Sequence, residues 1–204
     1  KVGGVLYISY NTQPGWAAMS PIRDLLTEYA EVMGVNGEGI VSRIDASLGF
    51  VSKLLDANPA FARANPQVAG NVKLIQSQNR NYLAHEYFNK DWHPMSFSRM
   101  AECLSPGKVH FACSAHYLEQ IDHINLSAEQ QELLKTIPDN NFKELVRDFC
   151  VNQQFRRDYW VKGARKLNPV EQAEMIRDSE VVLVQPRSSV VLKVNGSLGQ
   201  ASLD

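Results

Sequence analysis

The sequence predicts a predominantly helical α+β protein with a few short flanking strands. Three observations carry this expectation. Most apolar residues recur at the three- and four-residue spacing of a helix face, helix start signals recur along the chain, and β-branched or aromatic runs are confined to a few short segments.

Val5 to Tyr10 is the first such run, bounded by Gly3-Gly4 before and by Asn11 to Gly15 after, and reads as a short buried strand. The next hundred residues hold no comparable run, so its partner strands are expected upstream of Lys1. Ser20-Pro21 then reads as an N-cap with proline at the first helical position. Ile22, Leu25, Leu26, Tyr29 and Met33 fall on one face of that helix, which Gly34 stops. Ile40, Ile44, Leu48, Val51, Leu54 and Leu55 repeat the helical spacing up to Asn58-Pro59. A third helix is expected from Pro66 through Val68, Val72, Ile75 and Tyr82 towards Phe88, weakened at its start by Gly70.

Asn89 to Pro94 reads as a loop, Ser96 to Leu104 as a short helix ended by Ser105-Pro106-Gly107, and Val109 to Cys113 as a strand. Ser127 and Gln130 make a capping box, Asn141 caps the helix through Phe149, and Phe155 to Val161 is extended. Asn168-Pro169 starts one more helix, and Val181 to Val184 and Val190 to Val194 read as a final strand pair.

Composition limits the function classes. With 204 residues and 44% hydrophobic content the chain can bury a sizeable core. Its 21 Lys and Arg against 22 Asp and Glu leave a net charge of -1, so no overall field favours nucleic acid or an anionic membrane. Cys103, Cys113 and Cys150 are odd in number and lack CxxC spacing, which suggests reduced thiols in a cytoplasmic protein. No apolar stretch reaches the roughly 18 residues of a membrane span.

Three segments carry a resemblance: the Gly3-Gly4 entry to the first strand with Ser9-Tyr10-Asn11 and Pro14-Gly15-Trp16, then Tyr82 to Asn89 with Trp92 and Pro94, then Asp148 to Arg157. Together they resemble the predicted methyltransferase regulatory domain of bacterial class I S-adenosylmethionine (SAM)-dependent methyltransferases, a group related to the rickettsial protein lysine methyltransferases. The resemblance implies three parts. Residues 1-16 would be the end of a SAM-dependent methyltransferase core, 17-179 a helical regulatory domain, and 180-204 a strand pair leading to a further C-terminal region. It implies SAM as the cofactor of the parent protein, an upstream methyltransferase core of the same polypeptide and a homodimer as partners, and a protein as possible methyl acceptor.

No SAM site is expected within these residues. A class I core holds its cofactor with a glycine-rich turn after the first strand, where bare backbone approaches the ligand. Gly34-x-x-Gly37-x-Gly39 is the nearest pattern, and it follows a helix. Ser9, Tyr10, Asn11 and Trp16 would lie at the junction near the parent active site, in a positioning role, with no general base assigned.

His85, Glu86, Tyr87, Trp92 and Pro94 form either an interface or an ordinary structural cluster. His85, Glu86 and His93 lack the HExxH spacing of a zinc site, and His110, His116 and His123 share no helical face. Arg156, Arg157, Lys162, Arg165 and Lys166, with Tyr159 and Trp160 among them, form the basic and aromatic cluster. It reads as an anion or acidic-peptide patch or as a solvated edge. Two rival readings have no link to methyl transfer: a stand-alone helical binding or dimerisation module, and a hydrolase, for which a GxSxG nucleophile motif is missing.

Overall fold

The computed structural model describes residues 1–35, 37–165 and 167–202. The chain is α+β and divides into two compact units, one made of Lys1–Pro14 with Met95–Asp204 and the other of Gly15–Pro94. The first unit begins with β1 (Val5–Asn11).

The second unit is all helix. It contains α1 (Ser20–Val32), α2 (Ile40–Asp56), α3 (Ala60–Ala64), α4 (Gln67–Gln76) and α5 (Arg80–Glu86). On α1 the buried stripe is Ile22, Leu26 and Ala30 with Arg23, while Met33 is exposed, so the face is narrower than the sequence spacing suggests. Ile22 and Leu26 of α1 share one core with Ile44, Leu48 and Val51 of α2, Val68, Val72 and Ile75 of α4 and Leu83 of α5. The single helix expected from Pro66 to Phe88 is two. Asn79 breaks it because its side chain caps α5, accepting from the Asn81 and Tyr82 N–H groups at 2.8 and 3.3 Å.

The first unit resumes with α6 (Phe97–Leu104), capped by Ser96, then β2 (Val109–Ser114) and α7 (Asp122–Asn125). After these come α8 (Ala128–Lys135), α9 (Asn140–Val151), β3 (Phe155–Lys162) and α10 (Pro169–Arg177). A hairpin of β4 (Lys193–Gly196) and β5 (Gly199–Ser202) ends the described chain. The capping box at Ser127 forms as expected, and the helix expected from Asn168-Pro169 starts there with a capping box of its own, whereas the N-cap of α1 is Met19 rather than Ser20 and α9 is capped by Asp139 rather than Asn141.

Two strand expectations are corrected. β1 pairs antiparallel with β3 along its whole length, from Val5 opposite Val161 to Asn11 opposite Phe155. A partner of the first strand therefore lies some 150 residues downstream within this chain, a pairing that no local pattern announces. β2 pairs with the other side of β3, giving the order β1-β3-β2. At the C-terminal end, Val181 to Val184 is not a strand and the hairpin begins at Lys193, so the turn falls at Ser197-Leu198 rather than at Pro186 to Ser189.

Side chains alternate across β3. Arg156, Asp158 and Trp160 face the helices and are buried, while Phe155, Arg157 and Tyr159 face outward. Phe97, Met100 and Trp160 form the apolar centre, with Phe97 stacked on Trp160 at 5.5 Å and Phe111 edge-on to both rings.

Candidate functional site

Local periodicity builds the most unusual polar cluster in the molecule. Glu144 and Asp148 are four residues apart on α9 and so share a helix face. Arg156 and Asp158 are two apart on β3 and share a sheet face. Where α9 meets the sheet, the Arg156 guanidinium reaches Asp148 Oδ1 at 2.6 Å, Asp158 Oδ2 at 2.9 Å and Glu144 Oε2 at 2.9 Å. Tyr10 stands opposite Arg156 in the β1–β3 register and donates its hydroxyl to Asp158 Oδ2 at 3.0 Å. Phe97 and Phe111 lie under the guanidinium, 4.4 and 5.3 Å from their ring centres.

Three carboxylates share this cation, and two of them are almost fully enclosed: Asp148 and Asp158 are each 1% exposed. Burial disfavours their charged forms and Arg156 only partly offsets it. The Asp148 carboxyl is pushed up to about 7, and that of Asp158 is raised as well. Burial pulls the guanidinium the other way, but Asp148, Asp158 and Glu144 outweigh it and hold Arg156 firmly charged. Burial, followed by the adjoining Asp158 charge, raises the Tyr10 phenol and keeps it protonated. Among the described residues Asp148 Oδ2 has no hydrogen-bond partner. Asp148 lines a cavity of about 40 Å³ with Ser114, Glu119, Asn125, Arg156 and Ser197. That space fits a water molecule or two, well below the volume of a site for a cofactor. The cluster can exchange a proton near neutral pH and can fix α9 against the sheet.

A second cluster belongs to the helical unit. Arg23, 8% exposed, donates from Nε to the Tyr87 carbonyl at 2.7 Å and from Nη2 to the Asn89 carbonyl. It thereby ties α1 to the end of α5, and its guanidinium lies 5.0 Å from the Trp92 ring centre. Trp92 meets Trp16 edge-on at 4.9 Å, and Tyr87 meets Trp16 at 5.6 Å. Burial pushes the Tyr87 phenol up to about 12.

These placements sort the residues singled out from sequence. Ser9 is exposed on β1, Asn11 accepts from the Met95 N–H at 3.0 Å, and Tyr10 enters the ion cluster. Trp16 belongs to the other unit, with Tyr87 and Trp92 around it. His85 and Glu86 are exposed and Pro94 is half-buried, so the segment supplies packing through Tyr87 and Trp92 rather than a single polar site. Among the described residues no group of His, Cys, Asp and Glu is arranged to hold a metal ion.

The basic patch is corrected: Arg156 is buried among carboxylates, Arg157 points to the opposite face of β3, and Arg165 pairs with Glu171 at 2.8 Å. Lys162 is half-buried at the end of β3, and Lys166 lies outside the described residues. Glu144, Asp148, Asp158 and Arg23 are the residues that sequence reasoning left out. The i, i+4 acid pair on α9 and the Arg-x-Asp step on β3 were the legible signals for the first three.

The first unit thus sets helices against a three-stranded antiparallel sheet around a buried ion cluster, and the second unit is helical. Residues 79–162, from the cap of α5 to the end of β3, match the family described as a predicted methyltransferase regulatory domain.

An uncharacterized protein of Synechocystis sp. is 40% identical over 203 residues, covering 100% of this chain and 40% of the relative. One from Rickettsia prowazekii is 27% identical over 173 residues, covering 82% of this chain and 30% of the relative. The chain thus spans well under half the length of either. In fold it is similar to PKMT2 from Rickettsia typhi, solved in complex with AdoHcy, with a TM-score of 0.65 and 20% identity over 93% of this chain and 36% of that one. A second structure of the same Rickettsia protein gives 0.62. Among the described residues no helix is long and apolar enough to cross a membrane.

Proposed function

We propose that this chain is the regulatory part of a larger SAM-dependent methyltransferase, holding substrate or a second subunit in place while a separate core binds SAM and transfers the methyl group. The observation that carries this reading is the family match over residues 79–162 in a chain that spans 40% of its Synechocystis relative. The likeness to the AdoHcy-bound Rickettsia protein supports the same class, and the lack of a glycine-rich strand-to-helix turn supports the division of labour.

On this reading the partners are the methyltransferase core of the same polypeptide, a second copy of the protein and a protein methyl acceptor, and the setting is the cytoplasm. Ser9, Tyr10 and Asn11 on one unit and Trp16 on the other serve to position neighbouring groups. Tyr10 has a means to do so, because its hydroxyl is fixed by Asp158.

Titration calorimetry with SAM and with its demethylated product tests the division of labour. The 204-residue chain is expected to show no saturable heat, and the polypeptide that includes the remaining sequence is expected to bind. Micromolar binding by the 204 residues alone would overturn it.

A further inference from the structure

A cavity of about 540 Å³ opens between β2, the end of α6 and the first turn of α9, within the range of about 300–1,000 Å³ common to small-molecule sites. Its apolar wall is made by Phe111 and Trp160, and Lys108 and Lys143 stand at its polar side. Three independent features share one sign. Trp160 is 2% exposed and its indole Nε1 has no hydrogen-bond partner among the described residues. That group is a donor only, so it is completed by an acceptor.

The second feature is the N-terminus of the 12-residue helix α9, whose first residues Asn140 and Asn141 line the same space. The Asp139 carboxylate accepts from the Phe142 N–H at 2.7 Å, and the two preceding N–H groups remain at the positive end of the helix. The third is the pair of lysines, neither of which is held in an ion pair among the described residues. Glu144 is the acid in the wall, and Arg156 already occupies its Oε2 at 2.9 Å.

We propose that this cavity binds a small aromatic anion. Its acid group would meet Lys108, Lys143, the first N–H groups of α9 and the Trp160 Nε1–H, and its ring would lie against Phe111. The lysines and helix end supply charge complementarity, Phe111 supplies a flat apolar surface, and an oxygen of the acid supplies the acceptor that the buried indole lacks. The inference goes beyond the methyltransferase reading and stands or falls separately from it.

The test uses the 204-residue chain labelled at its three tryptophan indoles, with Trp160 assigned through its backbone, and titrates it with benzoate, phenyl phosphate and inorganic phosphate. Saturable movement of the Trp160 indole signal is expected with benzoate or phenyl phosphate, whichever acid the site prefers, with inorganic phosphate at least about tenfold weaker. The double variant Lys108→Glu, Lys143→Glu changes rim positions and is expected to weaken binding at least about tenfold while leaving the folded spectrum in place. An unmoved indole signal, equal affinity for inorganic phosphate, or unchanged binding by a folded double variant would each overturn the proposal.

Discussion

Asp148 combines two conditions that seldom coexist. It takes part in an ion pair with Arg156 at 2.6 Å, yet one of its oxygens is buried without a partner among the described residues. Burial wins, and the folded carboxyl is pushed up to about 7 from an ordinary 3.8. The sign follows from proton linkage. Between those two values the folded state holds more protons than the unfolded one, so this group's contribution to stability falls as pH rises. It is unperturbed below the unfolded value, and the full loss is reached once pH passes the folded one. In Asp148→Asn the amide oxygen can still accept from Arg156 and the titration is gone. The thermal midpoint of the wild type is therefore expected to fall more steeply than that of the variant between about pH 4 and about pH 7. Parallel curves would show that the proton is not bound at Asp148.

At the scale of elements, β3 organises the first unit because it is the central strand and carries a buried charge pair, a buried ring and an outward aromatic row in one alternating run. β2 follows it with an irregularity between Phe111 and Cys113, which leaves Phe111 against Trp160 and seats Cys113 opposite Tyr159. The β4–β5 hairpin is held more lightly. It meets α7 through Ser197 N–H to Asn125 Oδ1 at 3.0 Å and Leu198 N–H to the Ile124 carbonyl at 3.3 Å. Gly196 permits that approach, because a Cβ there would sit 2.1 Å from the Ile124 carbonyl oxygen. Gly196→Ala is expected to displace the hairpin, at a cost of about 1–3 kcal/mol to its docking. Hydrogen exchange checks this: the Ser197 and Leu198 amides should lose protection while the β1–β3 amides keep theirs. Unchanged protection at Ser197 would show that α7 yields instead.

For the whole molecule, the sheet has open edges. β1 is paired on one side by β3, and among the described residues no strand covers its other side. Val5 and Tyr7 on that strand are 64% and 51% exposed, and Tyr7 stands beside Tyr159 on the outward face. Exposed strand edges with apolar side chains favour pairing between copies. The chain is accordingly expected to self-associate with rising concentration, and Tyr7→Lys is expected to suppress it, since a charge on an edge strand opposes pairing. Light scattering over a concentration series reads both, and a constant monomer mass for the wild type would refute the expectation.

What the sequence by itself determined is local. Helix starts at Ser96, Ser127 and Asn168, the spacing of Ile44, Leu48 and Val51, and the extended run of β3 are each dictated by a few neighbouring residues. The family resemblance also rested on short segments, and one of them, Asp148 to Arg157, holds both the acid and the arginine of the buried cluster. Only the tertiary structure decided that β1 pairs with β3, because strand pairing at long sequence separation depends on how everything between them packs. The same holds for the basic patch. Arg156 and Arg157 are equivalent as letters, but a strand sends neighbours to opposite faces. The packing of α9 against one of those faces turned Arg156 into the centre of a buried ion cluster and left Arg157 on the outside.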